Sequence, residues 1–325
     1  RNEKIMVGTF ISSLFSLVMH QKELINDVLI NKKFFALAID QGTSLKEIIN
    51  QKKNNFKDED YFFFKKNIIE ILGSNLSAVL FDFETYEKHE KFKNLNIPKI
   101  IAYEDDAYNI DNVERITKLP SNKSIDKTID DFKAIKFFMY YNPDSPQEIN
   151  NKKNILIKKI GKMCLNLNKP FLFEPLLYND PLTKKSNEEY NKKKHEYITY
   201  FYSEFSKPDY NVSIIKIEFP FNESILDDYN NVNTISYCEE ILLNTFGKTM
   251  KPFVFLSAGM KFSNFYKSMS ISMKLNINCL GFLCGRSLWQ DSIDIFCNQS
   301  NTEFIKWLEN QGLERVEKLK STLDL

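Results

Sequence analysis

Residues 213–219 read Ser-Ile-Ile-Lys-Ile-Glu-Phe, and Pro220 closes the run. Four to seven apolar, β-branched or aromatic residues ended by a proline read as a short strand. The run is near-continuous in apolar residues rather than alternating, as expected of a strand covered on both faces. Seven more runs of the same kind lie at 34–40 (FFALAID), 77–82 (SAVLFD), 99–104 (KIIAYE), 134–140 (AIKFFMY), 170–176 (PFLFEPL), 252–258 (PFVFLSA) and 279–285 (CLGFLCG). Between them, segments 58–72, 147–167, 187–205, 236–246 and 264–275 place apolar residues at helical spacing, and 302–323 closes the chain in the same way. Strand and helix alternating eight times predict a parallel sheet with helical crossovers, closed as a (β/α)8 TIM barrel. An open doubly wound sheet is the competing α/β fold, but no glycine-rich phosphate loop follows the first run.

The composition suits such a fold. A chain of 325 residues is compatible with one α/β barrel, and 43% hydrophobic with 27% charged residues fits a globular protein. Its 44 basic and 43 acidic residues leave a net charge of +1, so no basic footprint for nucleic acid is expected. Five cysteines without CxxC spacing predict free thiols in a reducing, cytoplasmic setting. The apolar stretch Ile5–Met19 is shorter than the ~20 residues of a membrane span. It predicts a helix within an N-terminal extension over residues 1–30, ahead of a barrel over 31–325, rather than a stable membrane anchor.

Lys216 is the residue that turns fold into chemistry. A lysine among β-branched neighbours is either a strand-end side chain reaching solvent or a buried amine. A buried amine near other cations can lose its proton, attack a carbonyl and form a Schiff base. Other runs also carry ionisable groups at positions that face a barrel mouth: Asp40-Gln41, Asp82, Glu104, Lys136, Glu174 and Glu218. Lys136 is placed to act as the second ammonium, and Glu174, on the intervening strand, to move protons. Asp40 suits a substrate hydroxyl or the proton transferred at the bond being broken. Backbone amides of Ser257-Ala258-Gly259 and Gly285, with Arg286, follow the seventh and eighth runs, where barrels tend to bind phosphate. None of the three histidines falls at the end of a run, so no zinc ligand set is expected there.

These stretches resemble the class I tagatose 1,6-bisphosphate aldolases. The resemblance covers about residues 34–308 and rests on ALAIDQ (36–41), AIKFFMYYNPD (134–144), FLFEPLLYND (171–180), IIKIEFPFN (214–222), FLSAG (255–259) and GFLCGRSLW (281–289). It implies a metal-independent lyase with no cofactor that cleaves tagatose 1,6-bisphosphate, or fructose 1,6-bisphosphate, into dihydroxyacetone phosphate and glyceraldehyde 3-phosphate. It implies Lys216 as the imine former, Glu174 as the proton-transfer carboxylate, and Asp40, Gln41 and Lys136 as polar site residues. Ser257 and Arg286 match phosphate contacts. Two departures bear on the second phosphate and the sugar. The family's Arg-Gly-Ala-Leu-Lys after Asp-Gln is here Gly42-Thr43-Ser44-Leu45-Lys46, and its Pro-Glu-Tyr-Gly is here Phe83-Glu84-Thr85-Tyr86. The alternatives are an aldolase for a modified sugar phosphate and a non-catalytic, regulatory sugar-phosphate-binding barrel. A homo-oligomer is left open.

Overall fold

The protein was analysed as a computed structural model that describes residues 23–324, apart from 89, 122–124, 126–127, 179–185 and 249–250. Eight parallel strands close into one barrel in sequence order. They are β1 (Phe34–Ala38), β2 (Ala78–Phe81), β3 (Lys99–Ala102), β4 (Ala134–Tyr141), β5 (Phe171–Leu177), β6 (Ile214–Ile217), β7 (Phe253–Phe255) and β8 (Cys279–Cys284). The seam is the β1–β8 pairing, in which Phe34 stands opposite Gly281 and Leu37 opposite Cys284. Each strand coincides with one of the expected runs, β4 and β5 running one residue further, so this is the (β/α)8 architecture anticipated from the alternation.

Strand geometry sends successive side chains to opposite faces. Ala36, Ala38, Leu80, Ile100, Ala134, Leu172, Ile214, Val254 and Leu283 therefore fill the barrel. Small residues on β1 and β4 leave room for the larger ones opposite. Ile25 and Val28, in the turn before β1, pack into the same cluster and plug the end at which the strands begin. The opposite parity carries Phe35, Phe81, Phe137, Phe173, Ile215 and Phe255 outward against the helices. Much of the 28-phenylalanine content goes into this layer, for example the stacked Phe219–Phe255 pair at 3.9 Å between centroids.

The helices are α1 (Thr43–Lys52), α2 (Asp58–Ile71), α3 (Phe83–Lys88), α4 (Glu90–Lys93), α5 (Gln147–Asn166), α6 (Asn187–Phe205), α7 (Val232–Phe246) and α8 (Phe262–Ser272). They are followed by α9 (Arg286–Trp289), α10 (Ser292–Asn298), α11 (Asn301–Trp307) and α12 (Leu313–Ser321). Local chemistry sets several starts. Ser186 Oγ accepts from the Glu189 N–H at 3.3 Å and opens α6 as an N-cap. Asp60 Oδ2 accepts from the Lys57 N–H at 2.9 Å at the head of α2.

One expectation is corrected. The eightfold alternation is broken between β3 and β4, where the described residues form only the short 3₁₀ turns Ala107–Asn109 and Ile129–Asp131. Polar and turn-forming residues dominate that connection, and its buried apolar residues Ile125, Ile129 and Phe132 pack into the outer core. The closing helix runs over residues 301–321 as expected, with a π-type turn at Leu308–Gly312 set in line between α11 and α12. A Cβ on Gly312 would sit 3.0 Å from Leu72 Cδ2, so the glycine lets this turn seat against the end of α2. The helix expected over Ile5–Met19 lies outside the described residues. All five cysteines are free thiols. Among the described residues, no helix is long and apolar enough to cross a membrane.

Candidate active site

The inward parity that fills the barrel with aliphatic side chains continues past the last aliphatic layer with ionisable ones. On β4 the inward residues run Ala134, Lys136, Phe138; on β5, Leu172, Glu174; on β6, Ile214, Lys216. Asp40 and Glu104 extend the inward rows of β1 and β3 by one step. The register aligns Phe138 with Glu174 and Leu172 with Ile214, which stacks these groups in one layer at the C-terminal mouth.

The layer is one connected network. Lys216 Nζ lies 2.9 Å from Glu174 Oε2, and Lys136 Nζ lies 2.9 Å from the same oxygen. Lys136 Nζ also donates to Asp40 Oδ2 at 3.0 Å and to Glu104 Oε1 at 2.5 Å. The side chains of Lys136, Lys216, Glu104 and Glu174 are between 3% and 8% exposed. At such burial an ammonium persists only with partners, and Lys136 has three.

These contacts set the protonation states. Burial alone would lower the Lys136 ammonium, but Asp40, Glu104 and Glu174 together hold it well above its ordinary value. Burial would raise Asp40, yet Lys136 and Lys216 outweigh it and hold the carboxyl at about 2. Glu174 is likewise held below the usual carboxylate range against its own desolvation, by the same two lysines. Glu104 goes the other way. Burial, with Asp40 and Glu174 as neighbours, pushes it up to about 7 despite Lys136. Its Oε2 is buried and has no hydrogen-bond partner.

A cavity of about 610 Å³ opens above this layer. It is lined by the network and by Gln41, Tyr140, Leu177, Glu218, Ala258 and Arg286, among others. The Gln41 carbonyl accepts from Tyr61 Oη and Lys65 Nζ, both at 2.8 Å, which fixes the backbone after β1. Its side-chain Nε2 donates to Asp40 Oδ1 at 3.3 Å. Of the residues expected to hold phosphate, Ala258 and Arg286 line the cavity, while Ser257, Gly259 and Gly285 are not among its lining residues. Ala258 (φ 48°) and Gly259 (φ 82°) both take left-handed backbone, and a Cβ on Gly259 would come 3.3 Å from Arg286 Cζ. A non-glycine residue held in that region marks a turn fixed by its surroundings. Gly285 has a packing reason of its own, since a Cβ there would meet the Ala38 carbonyl oxygen at 2.2 Å.

The sequence reading noted Glu104, Asp82 and Glu218 at strand ends without giving them a place in the site. Glu104 proves to be a member of the central network. Glu218 pairs with Lys194 of α6 at 3.0 Å, and Asp82 pairs with the fully buried Lys65 at 2.5 Å. Asp106 carried no signal in the sequence. It accepts from the Thr43 N–H at 2.7 Å and the Thr43 hydroxyl at 2.8 Å, at the start of α1. Among the described residues, no three His, Cys, Asp or Glu side chains are grouped so as to hold a metal ion.

A primary amine against a buried carboxylate, beside a second ammonium at the mouth of a parallel barrel, can form and protonate an imine. Comparison with known proteins places the chain among aldolases. The fructose-bisphosphate aldolase of Plasmodium falciparum, solved as a ternary co-crystal with TRAP and a small-molecule inhibitor, superposes with a TM-score of 0.69 over 95% of both chains. At 14% identity that likeness speaks for the fold alone. Tagatose 1,6-diphosphate aldolase of Listeria monocytogenes is 31% identical over 294 residues, which is 89% of this chain and 87% of the relative. Tagatose 1,6-diphosphate aldolase 2 of Enterococcus faecalis is 30% identical over 293 residues, 89% of this chain and 88% of the relative. The DeoC/LacD family aldolase model matches residues 34–291. The chain belongs to the DeoC/LacD family of aldolases, and with it to the aldehyde-lyases.

Proposed function

We infer that the protein cleaves a ketose phosphate between C3 and C4 through an imine on Lys216. The observation that carries this reading is the single Glu174 oxygen shared by Lys216 and Lys136, both at 2.9 Å. Glu174 takes a proton from the Lys216 ammonium, and the neutral Nζ attacks the C2 carbonyl of the open-chain sugar. Glu174, relaying protons from nitrogen to oxygen, then returns the proton to the departing hydroxyl, so that water leaves and the protonated imine forms. The protonated imine then accepts the electron pair of the C3–C4 bond as a carboxylate, Asp40 in this reading, takes the proton of the C4 hydroxyl. The aldehyde departs. The remaining enamine takes a proton at C3, and water hydrolyses the imine to release dihydroxyacetone phosphate and free Lys216. Lys136 remains charged throughout and stabilises the ionised forms of Asp40 and Glu174.

The C1 phosphate belongs with Arg286 and the Ser257–Gly259 turn, whose left-handed backbone at Ala258 and Gly259 adjoins the guanidinium. Gln41 is positioned to contact the sugar beside Asp40. The names of the relatives make tagatose 1,6-bisphosphate the first substrate to offer, with fructose 1,6-bisphosphate second. No step uses a metal ion.

Borohydride reduction in the presence of dihydroxyacetone phosphate, followed by peptide mass spectrometry, tests the imine. A three-carbon phosphate adduct on Lys216 is the expected result. A folded protein with no adduct, or with the adduct on another lysine, overturns the assignment.

A further inference from the structure

The β1–β2 ladder ends at Ile39, whose N–H donates to the Leu80 carbonyl at 3.1 Å. Asp40 and Gln41 follow it and lie past the last residue of β1. Their backbone is held from behind. The Gln41 carbonyl accepts from Lys65 Nζ and Tyr61 Oη, both at 2.8 Å. The two donors share the buried face of α2, one helical turn apart. Burial, with Asp82 and Glu84 nearby, pushes the Tyr61 phenol above its ordinary value, so it stays a donor.

Lys65 is fully buried and gathers four oxygens. Besides the Gln41 carbonyl, its Nζ lies 2.7 Å from Tyr61 Oη, 2.5 Å from Asp82 Oδ2 and 2.7 Å from Thr85 Oγ1. Asp82 follows β2, and its Oδ1 accepts from the Thr85 N–H at 2.7 Å at the start of α3. One ammonium thus ties the turn after β1 to the turn after β2. Neither Lys65 nor Tyr61 is among the residues that line the cavity, whereas Asp40, Gln41 and Asp82 are.

Stability alone does not call for a buried ammonium, because apolar side chains of similar volume often serve as well or better. What Lys65 supplies is aim. Gln41 Nε2 donates to Asp40 Oδ1 at 3.3 Å, and Lys136 Nζ donates to Asp40 Oδ2 at 3.0 Å. The Gln41 backbone that Lys65 pins therefore sets one of these two contacts of the Asp40 carboxylate. A carboxylate that must meet the C4 hydroxyl proton is sensitive to small displacements. Glu174 and Lys216, by contrast, are residues of β5 and β6 themselves and are placed by the sheet.

We propose that Lys65 is a positioning residue for carbon–carbon cleavage: from behind the barrel wall it aims Asp40 and Gln41 at the C4 hydroxyl, and it has no part in forming the imine. This rests on the imine reading above and divides its site into halves. The half that forms the imine is built into β5 and β6. The half that breaks the bond hangs from α2.

Two rates separate the halves: kcat for cleavage of tagatose or fructose 1,6-bisphosphate, and the rate of reductive trapping of dihydroxyacetone phosphate on Lys216. In Lys65→Met, kcat is expected to fall about ten- to hundred-fold while trapping stays within about two-fold of the wild type. Tyr61→Phe removes one donor from the Gln41 carbonyl and keeps the Lys65 charge. It is expected to lower kcat about three-fold or more, with trapping again unchanged. In Lys65→Met, a parallel loss of both rates, or a loss of neither, overturns the proposal and leaves the imine intact. Should that variant not fold, Tyr61→Phe decides alone: an unchanged kcat, or trapping that falls with it, overturns the proposal. A wild type that traps dihydroxyacetone phosphate but cleaves neither sugar overturns the cleavage role given to Lys65. A wild type with no adduct overturns the imine reading and this proposal with it.

Discussion

Lys216 Nζ lies 2.9 Å from Glu174 Oε2 and makes no other ion pair among the described residues. Lys136, by contrast, is held by three carboxylates. Two lysines on the inward rows either side of Glu174's strand thus have different freedom: one is fixed as a cation, the other has a single partner that can also take its proton. Lys216→Ala should lower turnover by about 10⁴-fold or more, the scale on which losing a covalent nucleophile acts. Lys216→Arg should do the same, because guanidinium keeps its proton. Normal cleavage by either variant in a coupled assay would show that another group forms the intermediate. Activity of the wild type should survive EDTA, and a loss restored by zinc would point to a metal-dependent route.

Glu174→Gln keeps the shape of the site and removes its proton carrier. The expected effect is a kcat about 10²–10³-fold lower with KM nearly unchanged. A change confined to KM in steady-state kinetics would assign Glu174 to positioning the sugar.

Lys136→Met should be the most damaging substitution to stability in the network. It leaves Asp40, Glu104 and Glu174 facing one another without their shared cation. Removing one partner of a buried pair typically costs about 3–5 kcal/mol. Urea unfolding would measure this, and a variant as stable as the wild type would mean that the three carboxylates find protons or other partners at no cost.

Glu104 gives the site a pH signature. Its carboxyl is raised from 4.5 to about 7 by burial and by Asp40 and Glu174, against the pull of Lys136. Below about pH 4.5 the folded and unfolded states both hold the proton, and Glu104 contributes no penalty. As pH rises toward 7 the unfolded chain ionises first, so stability is lost across that window. Relative to Glu104→Gln, the wild type should lose roughly 3 kcal/mol between pH 4.5 and 7. Unfolding free energies that run parallel for the two proteins would show that Glu104 titrates normally.

Much of this molecule was legible in the chain itself, for a physical reason. A strand sends every second side chain inward, so spacing alone placed Lys136, Glu174, Lys216 and Asp40 in one ring once the eight runs were recognised. The starts of α2 and α6 were also legible, at the first residues of the expected segments 58–72 and 187–205. What escaped depended on distance along the chain. Asp106 reaches Thr43 across 63 positions, and no local pattern in either loop announces the contact. The close packing of Gly312 against Leu72, far away in sequence, was equally invisible. The third crossover, which holds only short 3₁₀ turns among the described residues, escaped because strand counting supplies an expected helix after every strand.

The pairing of Phe34 with Gly281 has a consequence for how the protein comes into being. Until β8 has left the ribosome, β1 has a neighbour on one side only, and its open edge must wait while almost the whole chain is made. Asp40 and Arg286 stand on the two sides of that seam. Chain growth therefore completes the catalytic mouth in a single late event, and a prematurely ended chain would display an unpaired hydrophobic strand edge, a template for aggregation.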